Sequence, residues 1–372
     1  MNFEHSDEQR QLADAVGRFL ARDHGFEQRK AILLSATGVS DNIWATFAEL
    51  GVLALSLPEA DGGFGGGALD LMPVMEACGE ALVVEPLLDH IGLASRLIAR
   101  CGSDAQRAKW LPGAADGSLR LAFASLERGR RYAAAPATTA ARAQGDGWVL
   151  DGEKCGVIGA PSSQGLVVSA SVDGAATLFI VDPRTVGVAL SPHRTVDGQR
   201  AADVRFSGVM LPADALLGAA GSALPAIEEA LDFATALLCA DAIGAMRSAN
   251  DATLEYLKTR RQFGVAIGSF QALQHRMVEM HITLEQARSM AILAASRVDR
   301  GGDAKERSRV VSAAKVKIAD AARQVSQESV QLHGGMGMTE ELKVSHTFRR
   351  LTTIAQRFGD ADHHLARYAA LS

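Results

Sequence analysis

The chain contains 372 residues, of which 48% are hydrophobic and 22% charged, an ordinary balance for a globular protein with room for more than one hydrophobic core. A formal net charge of -5 and the lack of any basic run exclude a typical nucleic-acid-binding chain. The sequence has no apolar stretch of membrane-spanning length, its acidic N-terminus does not resemble a signal peptide, and its four cysteines lack metal-ligand spacing. We therefore expect a cytoplasmic protein with reduced thiols and no metal, nucleic-acid or membrane partner.

The first part of the chain has the pattern of a helical domain. Ser6 and Gln9 predict a capping box at the start of the first helix. Further amphipathic segments cover residues 43–50, 70–81, 86–100 and 103–111. A glycine-rich run at 61–67 has no strand before it and no Lys-Ser/Thr after it, which favours a loop over a phosphate-binding turn. We predict an N-terminal helical domain over residues 1–117.

The pattern changes near residue 117. From 119 to about 216, short alternating apolar runs are separated by turn signals, among them the Asp-Gly pairs at 173–174 and 197–198. Spacing of this kind predicts an antiparallel β-barrel or sandwich domain over residues 118–217.

Helical periodicity returns after residue 218. The predicted helices cover residues 225–258, 269–300, 303–332 and 339–356. The first is apolar on most faces, as in a central buried helix, so Asp241 within it needs a partner if it is buried. Ser269 is the predicted N-cap of the second helix, and Thr339 or a neighbour that of the last. These helices predict a four-helix bundle domain over residues 218–372, which makes the fold class α+β.

The connection between the first two of these helices carries an unusual combination of residues. Gly264 and Gly268 bracket a turn whose backbone geometry a Cβ would hinder. Arg260 and Arg261 place fixed positive charge beside exposed backbone N–H groups, which suits a phosphate or pyrophosphate. A helix–helix corner with two solvated arginines is the alternative, and the residues of this stretch alone do not decide between them.

Two sequence blocks together identify a family. The first contains Arg-x-x-Phe-Gly at residues 260–264 and Phe-Gln at 270–271, and the second is Gln-Leu-His-Gly-Gly-Met-Gly-Met-Thr-Glu at 331–340, followed by Phe-Arg-Arg at 348–350. In this order they resemble the acyl-CoA dehydrogenase family, whose domain order is also the one predicted above. The Phe-Gly-Asp-Ala-Asp-His-His-Leu ending is most similar to the small subunit of bacterial pimeloyl-CoA-type dehydrogenases.

The resemblance implies an enzyme that binds FAD and desaturates acyl-CoA thioesters between the α and β carbons. It implies a dimer or tetramer, formed with itself or with a second acyl-CoA dehydrogenase subunit, and an acceptor like electron-transfer flavoprotein. In this family both blocks reach the FAD of a neighbouring chain. The residues thereby implied in cofactor binding are Arg260, Gln262, Phe263, Gln271, Gln331, His333, Gly334 and Gly335. Asp232 matches a family position that contacts the acyl-CoA, although Thr235 replaces the arginine expected three residues later.

The usual catalytic glutamate is absent from both positions that the family uses, because Phe358 and Ala234 occupy them. Asp360 is the candidate for a substitute base, with Asp362 beside it, and capping of the short helix that follows is the alternative role.

The segments that family members use for their own flavin are also altered. Leu126 replaces a hydrogen-bonding threonine, and the Gly-Val-Ile segment at 156–158 lacks both the tryptophan and the threonine of the family. Residues donated to a neighbour's FAD are intact, so we expect one subunit of a heteromeric enzyme that completes a partner's cofactor site. A flavin-dependent monooxygenase of the same fold and a non-catalytic scaffold subunit are the alternatives.

Overall fold

The computed structural model describes residues 6–372, and these divide into two compact units. One unit contains residues 6–30, 68–83 and 235–372, and the other contains residues 31–67 and 84–234. The sheet therefore lies entirely within the second unit, whereas most of the C-terminal helices lie within the first.

Helices make up the first part of the chain. They are α1 (Asp7–Asp23), α2 (Phe26–Leu34), α3 (Asp41–Glu49), α4 (Ala68–Ala81), α5 (Leu87–Asp89), α6 (Ser95–Cys101) and α7 (Asp104–Ala115), with a π-helical segment, His90–Ala94, between α5 and α6. The predicted capping box is confirmed, since Ser6 Oγ accepts from the Gln9 N–H at 3.2 Å and Gln9 Oε1 accepts from the Ser6 N–H at 2.8 Å. The glycine-rich run forms an irregular connection before α4, as predicted.

One eight-stranded sheet forms the middle of the chain. Its strands are β1 (Leu121–Ala124), β2 (Ala140–Gln144), β3 (Gly147–Ile158), β4 (Gly165–Val172), β5 (Ala175–Val181), β6 (Val188–Arg194), β7 (Arg200–Pro212) and β8 (Leu216–Leu217). The order is β6-β7-β3-β2-β4-β5-β8, and β1 pairs with β4. Most pairs are antiparallel, as predicted, while β4 runs parallel to both β1 and β2. Alternate residues such as Leu150, Val168 and Phe179 are buried in its core.

Five helices and a short hairpin form the C-terminal part. The helices are α8 (Leu224–Thr259), α9 (Gln271–Asp299), α10 (Ala304–His333), α11 (Lys343–Gln356) and α12 (Ala361–Ala370), and the hairpin strands are β9 (Arg261–Gln262) and β10 (Val265–Ala266). The predicted α+β fold class, with helical, antiparallel β and helical-bundle parts in that order, is confirmed. None of the helices among the described residues combines the length and hydropathy of a membrane span.

Two predicted helix starts are wrong because the capping hydroxyls bond elsewhere. The Ser269 Oγ donates to the Ala266 carbonyl at 2.7 Å inside a short 3-10 turn, so α9 begins only at Gln271. The Thr339 Oγ1 likewise donates to the Met336 carbonyl at 2.9 Å, and α11 begins at Lys343. A side chain that turns back toward the preceding segment cannot accept from the helix ahead of it.

Glycines allow α4 and α8 to cross closely. A Cβ built on Gly79 would lie 1.9 Å from the Asp241 carbonyl oxygen, and one built on Gly244 would lie 1.8 Å from the Glu76 carbonyl oxygen. Real Cβ atoms do not approach backbone oxygens so closely, so this crossing requires glycine on both helices.

We expect Gly244→Ala to lower the free energy of unfolding by about 1–3 kcal/mol, because α4 and α8 must separate to admit the methyl group. Gly17→Ala on α1 is the matched control. No described atom lies within 4 Å of a Cβ built there, so the alanine should stabilise the chain by up to about 1 kcal/mol. Urea denaturation of both variants measures the difference, and equal effects would contradict the close crossing.

Candidate functional site

A β-hairpin links α8 to α9 and carries the first motif block. Gln262 pairs with Val265 across the two strands, and Phe263 and Gly264 form the two-residue loop. Both loop residues have positive φ, +55° and +82°, the signature of a type I′ turn. Backbone bonds of 2.8 Å from the Arg260 N–H to the Tyr256 carbonyl and from the Ile267 N–H to the Arg260 carbonyl close its base. The turn therefore explains the glycine of the motif.

The hairpin presents an apolar tip and free positive charge. Phe263 is 91% exposed. Among the described residues its one ring contact is with Phe270, edge to face, at a centroid distance of 6.2 Å. Arg260, Gln262 and Gln271 are exposed beside it. Within residues 6–372, Arg260 forms no ion pair. An exposed phenyl ring beside an unpaired guanidinium is typical of a surface that contacts a ligand or another chain.

The second motif block forms the turn that ends α10. Gln331 is exposed, and so are Gly334 and Gly335. A Cβ built on either glycine would meet no described atom within 4 Å, so the open space in front of this backbone is available to a ligand. Gly334 also has a φ of +61°, which favours glycine.

His333 supports this turn from the interior. It is buried, and its Nδ1–H donates to the Ser329 carbonyl at 2.8 Å. Its ring stacks on Tyr256 at a centroid distance of 4.5 Å. Burial lowers the pKa of His333, so the ring is neutral at pH 7. Because Tyr256 lies one turn before the hairpin, this stacking brings the two motif blocks to the same end of the bundle.

Phe358 and Ala234 are the residues that we expect at the family's positions for the base. Phe358 is half-buried in a left-handed conformation with φ +59°, and Ala234 is fully buried. The Asp360 Oδ1 accepts from the His363 N–H at 2.8 Å and so caps α12. The capping role that the sequence left open for Asp360 is therefore present, and Asp362 is exposed on the first turn of α12.

Buried carboxylates lie on α8. Asp232 is 1% exposed. Asp241 is also 1% exposed and finds the partner it needs in Arg350, whose Nε lies 3.3 Å from Oδ1 and whose second nitrogen binds Oδ2. Arg350, part of the Phe-Arg-Arg block, thus stabilises a buried charge, a role that the sequence analysis did not assign.

The two segments that we expect to differ from the family's flavin contacts are neighbours in the sheet region. The Cys155 N–H donates to the Leu126 carbonyl at 2.9 Å, and Leu126 is 42% exposed. The next residue, Glu127, is buried and accepts from Lys154 Nζ at 2.9 Å. Sequence reasoning missed this buried pair, since both residue types usually lie on the surface. Within the described residues, no group of three His, Cys, Asp or Glu side chains is placed to hold a metal.

Comparisons with known proteins agree on one family. The chain matches the family models Acyl-CoA dehydrogenase, N-terminal domain over residues 6–118, middle domain over residues 122–209 and C-terminal domain over residues 222–370. It is 34% identical over 371 residues to Acyl-CoA dehydrogenase FadE12 of Mycobacterium tuberculosis, which covers 95% of this chain and 93% of that protein.

Solved structures give the same result. The ChsE4-ChsE5 complex from Mycobacterium tuberculosis is 25% identical with a TM-score of 0.91 and covers 100% of this chain and 98% of the matched chain. A variant of the Tcur3481-Tcur3483 steroid ACAD is 28% identical with a TM-score of 0.89 and covers 98% of this chain and 97% of the matched chain.

The residues present fit a dinucleotide cofactor. Arg260 offers a charged fork suited to phosphate oxygens, and Phe263 offers an apolar ring face. The open backbone at Gly334 and Gly335 permits close approach. The chain belongs to the acyl-CoA dehydrogenase family, and it is a flavoprotein oxidoreductase whose cofactor is FAD.

Proposed function

We propose that this chain is one subunit of a heteromeric acyl-CoA dehydrogenase and that it completes the FAD site of a catalytic partner subunit. The observation that carries the proposal is a contrast within the chain. Arg260, Phe263 and Gln331 are exposed, as groups that act on another chain must be. The family's positions for the base hold Phe358 and Ala234, neither of which can accept a proton.

The comparisons favour a two-component assembly. The ChsE4-ChsE5 and Tcur3481-Tcur3483 structures are both named for two proteins. We further propose that this chain corresponds to the small subunit of pimeloyl-CoA-type dehydrogenases and acts on acyl-CoA thioesters with bulky acyl groups, of the dicarboxylyl, aromatic or steroid class. The steroid label of the second structure supports that class. An acceptor like electron-transfer flavoprotein would reoxidise the enzyme.

We assign the roles of the site residues on the same basis. Arg260 would bind the FAD pyrophosphate, while Gln262, Gln271 and Gln331 would donate amide hydrogen bonds and Phe263 would cover an apolar part of the cofactor. Gly334 and Gly335 would let the backbone approach, and His333 would hold their turn from beneath.

The reaction requires a carboxylate for the α proton. When bound, FAD supplies the acceptor for the β hydrogen, which leaves as hydride. In this chain Asp360 is the candidate for the carboxylate, but its oxygen is engaged by the His363 N–H. We therefore propose that the partner subunit supplies the base, with Asp232 of this chain near the acyl-CoA.

The change of sequence pattern along the chain and the residues matched by the three family models together support a set of domain limits. We propose an N-terminal helical domain over residues 1–117, a middle β domain over 118–217 and a C-terminal bundle over 218–372. The family matches change from one domain to the next close to these limits.

The deciding experiment measures FAD per chain by visible absorbance, for the chain alone and after co-expression with a second acyl-CoA dehydrogenase subunit. Little flavin on the chain alone and full flavin on the pair supports the proposal. Full flavin and full turnover by the chain alone would contradict the proposal. In that case the activity of Asp360→Asn would test whether Asp360 is the substitute base. Turnover that needs a separate reductase would favour the monooxygenase, and no flavin with any partner would favour the scaffold.

We expect Arg260→Ala to weaken FAD binding by the two-subunit complex about tenfold or more, since a charge-assisted hydrogen bond contributes about 1.5–3 kcal/mol. Lys258→Ala is the matched control, because Lys258 is a nearby exposed cation that already pairs with Glu255 at 2.7 Å. FAD titration followed by flavin fluorescence measures both. An equal loss in the two variants would mean that only general positive charge matters here.

A further inference from the structure

Two side chains from different helices hold the turn between α11 and α12. Lys315 on α10 is fully buried, and its Nζ donates to the Gly359 carbonyl at 2.7 Å and to the Ala355 carbonyl at 3.1 Å. His364 on α12 is 1% exposed, and its Nε2–H donates to the Phe358 carbonyl at 3.1 Å. Two consecutive carbonyls, those of residues 358 and 359, are thus bound by two separate donors.

The turn has a backbone that needs such support. Phe358 is a non-glycine residue with φ +59°, a left-handed conformation that L-residues other than glycine rarely adopt. Gly359 has φ +129°, and a Cβ built there would lie 2.5 Å from His364 Nε2. The histidine ring therefore packs directly against the peptide that it binds. We call residues 358–359, with these contacts, the 358–359 turn.

The protonation states of the two donors are set by their surroundings. Burial lowers the pKa of Lys315 to about 8, against the opposing effects of Cys239 on α8 and Asp360 at the start of α12. Burial also lowers the pKa of His364 to about 3, and the nearby positive charges of Lys315 and Arg367 and the ring of His363 add to this. At neutral pH Lys315 is charged and His364 is neutral, with its Nδ1 accepting from Ser312 Oγ at 3.2 Å.

We propose that Lys315 and His364 are positioning residues that fix the 358–359 turn, and that the turn is a preformed support for a carboxylate at position 358. This inference rests on the proposed function, because the resemblance to the family places the catalytic glutamate at residue 358. Phe358 itself is half-buried, with the Arg357 guanidinium 4.7 Å from the centre of its ring. The side chain at this position is the missing part, whereas the backbone that would orient it is complete.

Hydrogen exchange of the full chain tests the positioning role without any cofactor. We expect Lys315→Met to accelerate amide exchange in a peptide spanning residues 357–361 about tenfold or more, as both Nζ hydrogen bonds are lost. Lys317→Met is the matched control, since Lys317 on the same helix donates instead to Gln286 at 2.6 Å. Unchanged exchange in Lys315→Met would overturn the role.

The unmodified chain offers a second readout, which does not depend on a variant that folds. Protection of the 357–361 peptide, corrected for the intrinsic rate, should fall as the pH rises through about 8, because neutral Lys315 is a weaker donor. The same profile should be flat in Lys315→Met. A flat profile in the unmodified chain, together with unchanged exchange in Lys315→Met, would contradict the proposal.

Restoring the carboxylate tests the functional part. We expect Phe358→Glu, in the FAD-loaded complex with a partner subunit whose own base has been changed to the corresponding amide, to raise kcat for an acyl-CoA about tenfold or more over the same complex without the Phe358 change. Adding Lys315→Met should remove most of that gain and leave KM unchanged, since a misplaced base affects the transition state and not ground-state binding. No gain, or a gain that survives Lys315→Met, would overturn the carboxylate support. FAD per complex, measured on the same samples, separately shows whether the proposed heteromer has failed.

Discussion

The Glu127→Ala variant should unfold about 3–5 kcal/mol more easily than the unmodified chain, because it leaves the buried Lys154 ammonium without its counter-charge. Lys154 is fully buried and Glu127 is 4% exposed, with 2.9 Å between Nζ and Oε1. Glu127 also accepts from the backbone N–H groups of residues 137, 138 and 139 at 2.8–2.9 Å. All these bonds are lost together in the variant.

The electrostatics of this pair favour the charged form of the acid. Burial alone would raise the pKa of the Glu127 carboxyl, but the Lys154 ammonium and three backbone N–H groups hold it well below its usual range. Burial lowers the pKa of Lys154, and Glu127 opposes that effect. The remaining contacts of Nζ, with the Ser125 carbonyl and Ser169 Oγ at 3.1 Å, are neutral and cannot replace the carboxylate.

Two controls isolate the buried charge. Asp182→Ala removes an exposed ion pair with Arg184, 2.7 Å long, and should change the free energy of unfolding by less than about 1 kcal/mol. The double variant Glu127→Gln with Lys154→Met keeps an acceptor for the backbone and removes both charges, so it should recover most of the loss. Urea denaturation measures all three variants. If Glu127→Ala costs no more than Asp182→Ala, the buried pair does not stabilise the sheet.

The local sequence pattern predicts the order of the elements and a turn between α8 and α9, although not the two short strands that flank the turn. Periodicity changes from helical to alternating and back, and each change marks an element type that the structure contains. Gly264 of the first motif block also marks a turn correctly, since it has positive φ. These features depend on neighbours within a few residues, which a sequence displays directly.

Contacts between distant residues could not be predicted in the same way. Lys154 and Lys315 look like surface lysines in the sequence, yet both are fully buried because of partners 27 and 44 residues away. The sequence leaves two roles open for Asp360, since a carboxylate before a helix can be either a helix cap or a catalytic base. Ser269 shows the opposite error, in which a good capping residue bonds backwards. For the two lysines the deciding atom lies far along the chain, whereas for Asp360 and Ser269 it lies three residues away and two local bonds compete.

Acid should destabilise the chain through His90, the first residue of the π-helical segment. His90 is fully buried, its Nε2–H donates to the Ala114 carbonyl at 3.0 Å, and its Nδ1 accepts from the Leu121 N–H at 3.1 Å. A proton on Nδ1 would abolish the second bond. Burial lowers the pKa of His90 to about 4 from an ordinary value of 6.5.

Acid lowers the free energy of unfolding because His90 takes up a proton when the chain unfolds. Between pH 6.5 and about 4 the unfolded chain binds a proton at His90 and the folded chain does not, so the stabilisation is complete above pH 6.5 and is lost as the pH falls toward 4. The loss from this one residue amounts to about 3 kcal/mol. His24 and His364, whose pKa values burial lowers to about 4 and about 3, contribute in the same direction.

The slope of unfolding free energy against pH tests this account. Each proton taken up on unfolding contributes about 1.4 kcal/mol per pH unit, so the three histidines together give about 4 kcal/mol per pH unit near pH 5. His90→Gln keeps a donor and an acceptor but cannot titrate, and it should lower that slope by about one proton. Replacing the exposed His281 by glutamine is the control for the substitution itself. A slope in His90→Gln equal to that of the unmodified chain would mean that His90 accepts its proton without unfolding, and that the bond from the Leu121 N–H does not hold the ring in its neutral form.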